Sequence, residues 1–391
     1  MRAALLLCVL LASAARAEVW RDPTLDEALK GADLVVRAVA LEDGREGVEE
    51  VRFQVEEALH GQAPRELAVA GLIDPTRIKG PTFVKRGQRA LLLLAKRKRG
   101  AGWAIPTPTF GRFRLDGETV KLAPLRDTYL RLDLARDDYE RFLRLRLGRR
   151  PDPAWLAALR AHLDAAQPEP VPADARARQY LALEALAQVG QAEDAARAAK
   201  ILTKVQPFQL RISACRALAR AAGAKAAGRL LELGREDESK AVRIAAIRAL
   251  AGLDPPPRGL VEKLAGLLPS ATSEPFRLSQ GPNDPRTNEW PSPRATLLQA
   301  IAKHGVAPVR AQVLAILEEP QVALPVFSVA LEALLTLEQD PALPRELAAR
   351  FRSEREVGAQ LYNRELCIAL TKLTRQRFGE DVAAWRRWVS R

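Results

Sequence analysis

The chain has 391 residues, with 61 Lys and Arg against 48 Asp and Glu, a formal net charge of +13. Hydrophobic residues make up 48% and aromatic residues 5%, a composition that excludes a disordered or fibrous chain and allows two or three packed domains. No apolar run reaches the ~20 residues that a membrane-crossing helix needs.

Residues 1–17 read MRAALLLCVLLASAARA. Arg2 precedes an apolar core from Ala3 to Ala12, and Ala15-Arg16-Ala17 follows the small-x-small rule before Glu18. The pattern predicts a signal peptide cleaved near Ala17 and a periplasmic or secreted mature protein. Cys8 lies inside the apolar core, away from the cleavage point, so no lipid-anchored cysteine is expected. Cleavage leaves Cys215 and Cys367, each among the apolar positions of a helical pattern, where cysteine behaves as a small hydrophobe. They are expected to be buried and unbridged.

Residues 19–125 predict a β-rich module. Thr24-Leu25-Asp26-Glu27 is a capping box, with Gly31 placed to stop a short helix. Leu34 to Val39 reads as an apolar strand. Val51, Phe53 and Val55 alternate with Arg52, Gln54 and Glu56 at the period of a half-buried strand. Leu67-Ala68-Val69 is a further short run, and Leu91 to Leu94 suits a strand buried on both faces. Phe113-Arg114-Leu115 and Thr119 to Leu122 flank Asp116-Gly117, a hairpin signal. Several short strands between turns indicate a small barrel or sandwich. The stretches "ADLVVRAVALE", "VRFQVEEALHG", "GQRALLLLAKR" and "GRFRLDGETVKL" resemble netrin-type, inhibitor-like OB barrels, which implies an OB-like fold. Such inhibitors carry stabilising cysteines, and residues 19–125 contain none.

Residues 126–173 read as a helical connector, with helices at 137–147 and 154–163 and a proline-rich hinge at 167–172. From residue 174 to 391 the pattern is helical and repetitive. Residues 179–186, 211–218 and 243–250 align at steps of 32, superposing Ala182, Ala214 and Ala246, then Ala185, Ala217 and Ala249, then Leu186, Leu218 and Leu250. A second helix is expected after each, at 192–202, 224–233 and 259–268. The pattern resumes before Ile301, Leu334 and Leu370, giving about six helix pairs. Helix pairs at fixed spacing predict an all-α solenoid. "LRISACRALA" and "VRIAAIRALAGL" resemble HEAT repeats, in the short variety of phycobilisome-lyase-like arrays, and secreted bacterial HEAT proteins end in tails similar to residues 373–391. Arg375 stands where that tail usually has glycine. Phe378, Trp385 and Trp388 are expected to cap the open end of the core. The fold class is therefore multidomain: a mostly-β barrel or sandwich followed by a HEAT-repeat solenoid.

No motif for catalysis, cofactor or metal binding stands out. His60, His162 and His304 are isolated, in a turn and near two helix ends, and no nucleophile elbow, phosphate loop or metal-ligand spacing occurs. The basic excess concentrates in Lys96, Arg97, Lys98 and Arg99, a candidate polyanion contact, and in Arg144, Arg146, Arg149 and Arg150 at a helix end. Arg211 and Arg243 share one repeat position. The HEAT resemblance implies that such an arginine pairs with a carboxylate of a neighbouring repeat, with Glu236, Asp237 or Glu238 available to Arg243; a binding stripe is the sharper reading. A proline-rich insertion at 269–293, expected to lack regular structure, carries Phe276, Arg277 and Trp290 as candidate partner contacts. The functional expectation is a non-catalytic scaffold that binds a macromolecular partner, a protein, outside the cytoplasm. A second reading is a binder of polyanions, whether anionic polysaccharide, lipid head groups or nucleic acid, and a third is an enzyme without a recognisable motif.

Overall fold

Thr24 is the N-cap of α1 (Leu25–Lys30): its hydroxyl accepts from the Glu27 amide, and the Glu27 carboxylate accepts from the Thr24 amide, as the capping box requires. Gly31 ends the helix as expected, but with φ −88° it needs no left-handed turn. The computed structural model describes residues 24–390 apart from 45–48, 73–83, 98–99, 107–110, 123–131, 166–170, 278–288, 338, 354–355 and 357. The leader expected at residues 1–17 lies outside the described residues. The chain divides into two compact units, one made of Met1–Arg150 with Arg277–Glu289 and the other of Pro151–Phe276 with Trp290–Arg391.

Residues 24–150 hold eight strands among the described residues: β1 (Leu34–Ala40), β2 (Glu50–His60), β3 (Glu66–Ala70), β4 (Arg89–Lys96), β5 (Trp103–Ala104), β6 (Arg112–Asp116), β7 (Thr119–Leu122) and β8 (Leu132–Ala135). The order β1-β2-β3-β5-β4 closes on itself, because β4 also pairs with β1, and the result is a five-stranded barrel. Only the β3–β5 pairing is parallel among the described pairings. Strands β6, β7 and β8 extend the sheet from β4.

Alternation dictates which side chains fill the barrel. Leu34, Val36, Ala38 and Ala40 of β1 point inward with Val51 and Phe53 of β2, Leu67 and Val69 of β3, and Leu92 and Leu94 of β4. Leu91 and Leu93, on the other face of β4, are equally inaccessible, so this strand is buried on both faces as its uninterrupted run implied. The β6–β7 hairpin turns at Gly117, whose φ of +57° explains glycine at that point. His60, expected in a turn, is instead the last residue of β2. The turn begins at Gly61, where φ is +77° and a Cβ would lie 2.4 Å from the Asp33 carbonyl oxygen.

A helix α2 (Arg136–Arg146) follows β8 directly and lies against β2, β7 and β8. Arg37, projecting from the barrel wall, meets Glu140 of α2 at 2.8 Å as well as Glu56 and Glu57 of β2 at 3.2 and 3.0 Å. Phe113 of β6 meets the Tyr139 ring edge-on at 5.6 Å. The connector expected at 126–173 is thus divided: β8 and α2 belong to the β-rich unit, and α3 (Pro153–Asp164) packs with helices of the second. Four short residues of β8 carry too little alternation to register as a strand.

The second unit continues with α4 (Ala173–Val189), α5 (Asp194–Ile201), α6 (Phe208–Ala222), α7 (Ala227–Glu236), α8 (Lys240–Ala251), α9 (Leu260–Ala265), α10 (Pro293–His304), α11 (Arg310–Glu318), α12 (Leu324–Leu334), α13 (Leu343–Ala348), α14 (Ala359–Thr374) and α15 (Val382–Val389). The helices α4, α6, α8, α10, α12 and α14 each pack on the next of that series. Their aligned Ala185, Ala217, Ala249, Ala300, Ala333 and Ala369 are all buried, as are Leu186, Leu218, Leu250, Ile301, Leu334 and Leu370. Small residues at the first set allow close approach, and the second set fills the shared core. Of the intervening helices expected, α5 and α9 are shorter than the sequence suggested, and α7 begins three residues later at the same length. Three intervening helices are preceded or followed by 3₁₀ turns, at Gly223–Ala226, Leu268–Ser270 and Ala307–Val309.

The insertion at 269–293 is not wholly irregular. The pair β9 (Phe276–Arg277) and β10 (Glu289–Trp290) forms a short ladder, and Ser292 caps α10, its hydroxyl accepting from the Ala295 amide at 3.1 Å. Pro293 sits at the first helical position, where no backbone donor is needed. At the far end, Trp385 of α15 is fully buried between Phe378 and Trp388, with ring centroids at 5.0 and 6.0 Å, and its indole donates to the Gly379 carbonyl. Arg375 ends α14 at φ 61°, a left-handed conformation, so the turn for which glycine is the usual residue is made here by arginine.

Candidate binding surface

The charged side chains of the second unit are held chiefly in ion pairs between successive helices. Asp194, inaccessible to solvent, receives Arg160 through two bonds of 2.9 and 2.8 Å, Arg197 at 2.9 Å and the Gln191 amide at 3.0 Å. Burial raises the Asp194 pKa, but the bonds from Arg160, Gln191 and Arg197 outweigh it and hold the carboxyl below its ordinary value. Arg216 pairs with Glu184 of the preceding aligned helix, and Arg310 with Asp340 and Glu346 at 2.8 Å each.

Arg211 does not face outward. It is 2% exposed and donates to Asp237 at 2.6 Å and Glu238 at 3.2 Å, while Asp237 also accepts from the Ser239 amide. The expected partner contact at Arg211 is corrected to a buried ion pair. The correction extends to the carboxylates suggested for Arg243: Asp237 and Glu238, in the turn after α7, belong to Arg211. Arg294 occupies the same repeat position at the head of α10 and pairs bidentately with Glu319, one bond being 2.6 Å. The sequence signal for this third arginine is its place seven residues before Ile301, as Arg211 and Arg243 stand seven residues before Leu218 and Leu250. Beside this pair lies a shallow depression of about 430 Å³ lined by Ser273, Arg294, Glu319, Pro320 and Gln321.

Arg243 differs from both. It is half-buried, its Nε is closed off from water with no acceptor, and it has no carboxylate partner among the described residues. Phe276, Arg277 and Trp290 are placed by their backbones in β9 and β10, and their side chains lie outside the described ones.

In the first unit, Lys96 ends β4 opposite Trp103, exposed, with its amide donating to Asp33 at 2.8 Å. Arg97 is committed to Glu50 of β2. Lys98 and Arg99 lie outside the described residues. Arg144 and Arg146 likewise pair, with Glu57 and Asp26, whereas Arg149 and Arg150 are exposed.

Among the described residues, Cys215 and Cys367 are buried and free. Burial pushes the Cys215 thiol up to about 12, and burial with Glu380 and Asp381 pushes Cys367 up to about 11, so both are protonated and unreactive near neutrality. His162 and His304 donate to the carbonyls of Ala175 and Ala251, at 3.0 and 2.8 Å. Among the described residues no three His, Cys, Asp or Glu side chains come together in a group that could hold a metal, and no helix is long and apolar enough to cross a membrane.

Comparison with protein families, with curated proteins and with solved structures finds no match to this chain.

Proposed function

We propose that this chain is a non-catalytic scaffold acting outside the cytoplasm, in the periplasm or as a secreted protein, and that it recognises a protein partner across a HEAT-like helical array. The observation that carries this reading is the series α4, α6, α8, α10, α12 and α14, each helix packed on the next through alanine and leucine at one repeating position. Such an array offers a long surface for recognition. The leader-like pattern at residues 1–17 supports export, with cleavage near Ala17. The strand order β1-β2-β3-β5-β4 with a parallel β3–β5 pair supports an OB-like reading of the barrel.

The polyanion reading has less support. Arg97 is engaged by Glu50, and the outward residues of β2 beside it, Glu50, Arg52, Gln54 and Glu56, include two carboxylates and no aromatic platform for a base. Cross-linked affinity capture of the tagged protein from the cell envelope tests the choice. The scaffold reading expects a discrete protein retained through a high-salt wash. Recovery of polyanions alone, lost at high salt, would replace it with the electrostatic one.

A further inference from the structure

Three arginines stand at one position of the repeat: Arg211 in α6, Arg243 in α8 and Arg294 in α10. Each has its Nε closed off from water without an acceptor, and the three differ in what their Nη ends meet. Arg211 takes Asp237 and Glu238, 26 and 27 residues downstream. Arg294 takes Glu319, 25 residues downstream. In both cases the acid stands in the turn that follows the next helix. The corresponding place after Arg243 is the 3₁₀ turn Leu268-Pro269-Ser270, which has no acid. Glu274, a few residues on, is bonded to Lys240 at 2.7 Å. Of these three arginines, Arg243 is therefore the one that the chain itself leaves without a counter-ion among its described residues.

We infer that Arg243 receives a carboxylate from a partner, an Asp or Glu side chain of an acidic polypeptide segment, which completes between molecules the ion pair that the flanking repeats make within the chain. This rests on the reading of the array as a protein-binding surface and names the chemistry of one contact on it. A guanidinium whose Nε is enclosed cannot swing away to water, so its remaining fork is pre-oriented for two parallel bonds to a planar carboxylate.

The test is fluorescence anisotropy of a labelled hexaglutamate peptide with the full-length protein. Arg243→Gln is expected to weaken binding about tenfold or more, as loss of a charge-assisted pair does. Arg243→Lys, which keeps the charge without the fork, should fall between, and Lys96→Gln should bind as wild type does. Pro269→Asp restores an acid in the chain's own register; it should raise the melting temperature by about 2–4 °C and abolish the advantage of Arg243 for the peptide. No hexaglutamate binding by wild type, or equal binding by wild type and Arg243→Gln, overturns the inference. Envelope capture separates this from the broader reading. A protein partner retained equally by Arg243→Gln removes only this contact, whereas no protein partner with the wild type removes the surface itself.

Discussion

Arg375 holds φ at 61°, a region that costs a residue with a Cβ roughly 1 kcal/mol relative to glycine. Its guanidinium is exposed and its amide still closes α14 on the Thr371 carbonyl, so the helix end depends on the backbone alone. Arg375→Gly is expected to stabilise the protein by about 0.5–1 kcal/mol, read as a higher denaturation midpoint; a lower midpoint would show that the arginine side chain contributes. Asp194 acts in the opposite sense. Its folded-state pKa lies below the ordinary carboxylate value, so its contribution is complete above that ordinary value and is lost as the pH falls through the depressed one. Asp194→Asn should destabilise by roughly 3 kcal/mol at neutral pH, and by progressively less in acid, because Arg160 and Arg197 lose their shared partner. Equal destabilisation at both pH values would contradict the assignment. At this scale the sequence was readable where the chemistry is local. The Thr24–Glu27 capping box needs only three residues of spacing. The ownership of Asp237 was not readable, since Arg211 and Arg243 flank it and only the helix packing decides which one reaches it.

Among elements, the alanine position of the repeat makes the sharpest demand. Ala246 in α8 is fully buried where this helix meets its neighbours. Ala246→Leu would force extra volume into a filled interface and should cost about 1–3 kcal/mol, seen in chemical denaturation. An unchanged midpoint would mean that the helices are less closely packed than their spacing implies. The long helices α4, α6 and α8 were legible because alanine and leucine recur in phase over whole turns. The two-residue strand β5 was not, since a strand that short has no period and is defined by its pairing with β3 and β4. The same holds for β9 and β10. Prolines in the insertion argued for irregular chain, yet a ladder formed by backbone bonds at two short sites escapes that rule.

For the whole molecule, the division falls at Arg150–Pro151 and not after residue 125, because the sheet continues into β8 and Arg37 ties α2 to the barrel wall through Glu140. The arrangement of β barrel and helical unit was thus legible from the change of hydrophobic period, while the boundary depended on long-range contacts. The candidate site followed a similar course. The arginine position could be seen by aligning repeats, but which arginine remains unpaired became visible only when Asp237, Glu238 and Glu319 were assigned. Recognition of a protein partner across the helical array is tested by the dissociation constant of the captured partner measured between about 50 and 200 mM salt. A packed protein interface with few ion pairs predicts a change of only a few-fold over that range, whereas polyanion binding through many phosphates predicts a loss of about a thousandfold or more. A shallow slope upholds the scaffold, and a steep one contradicts it.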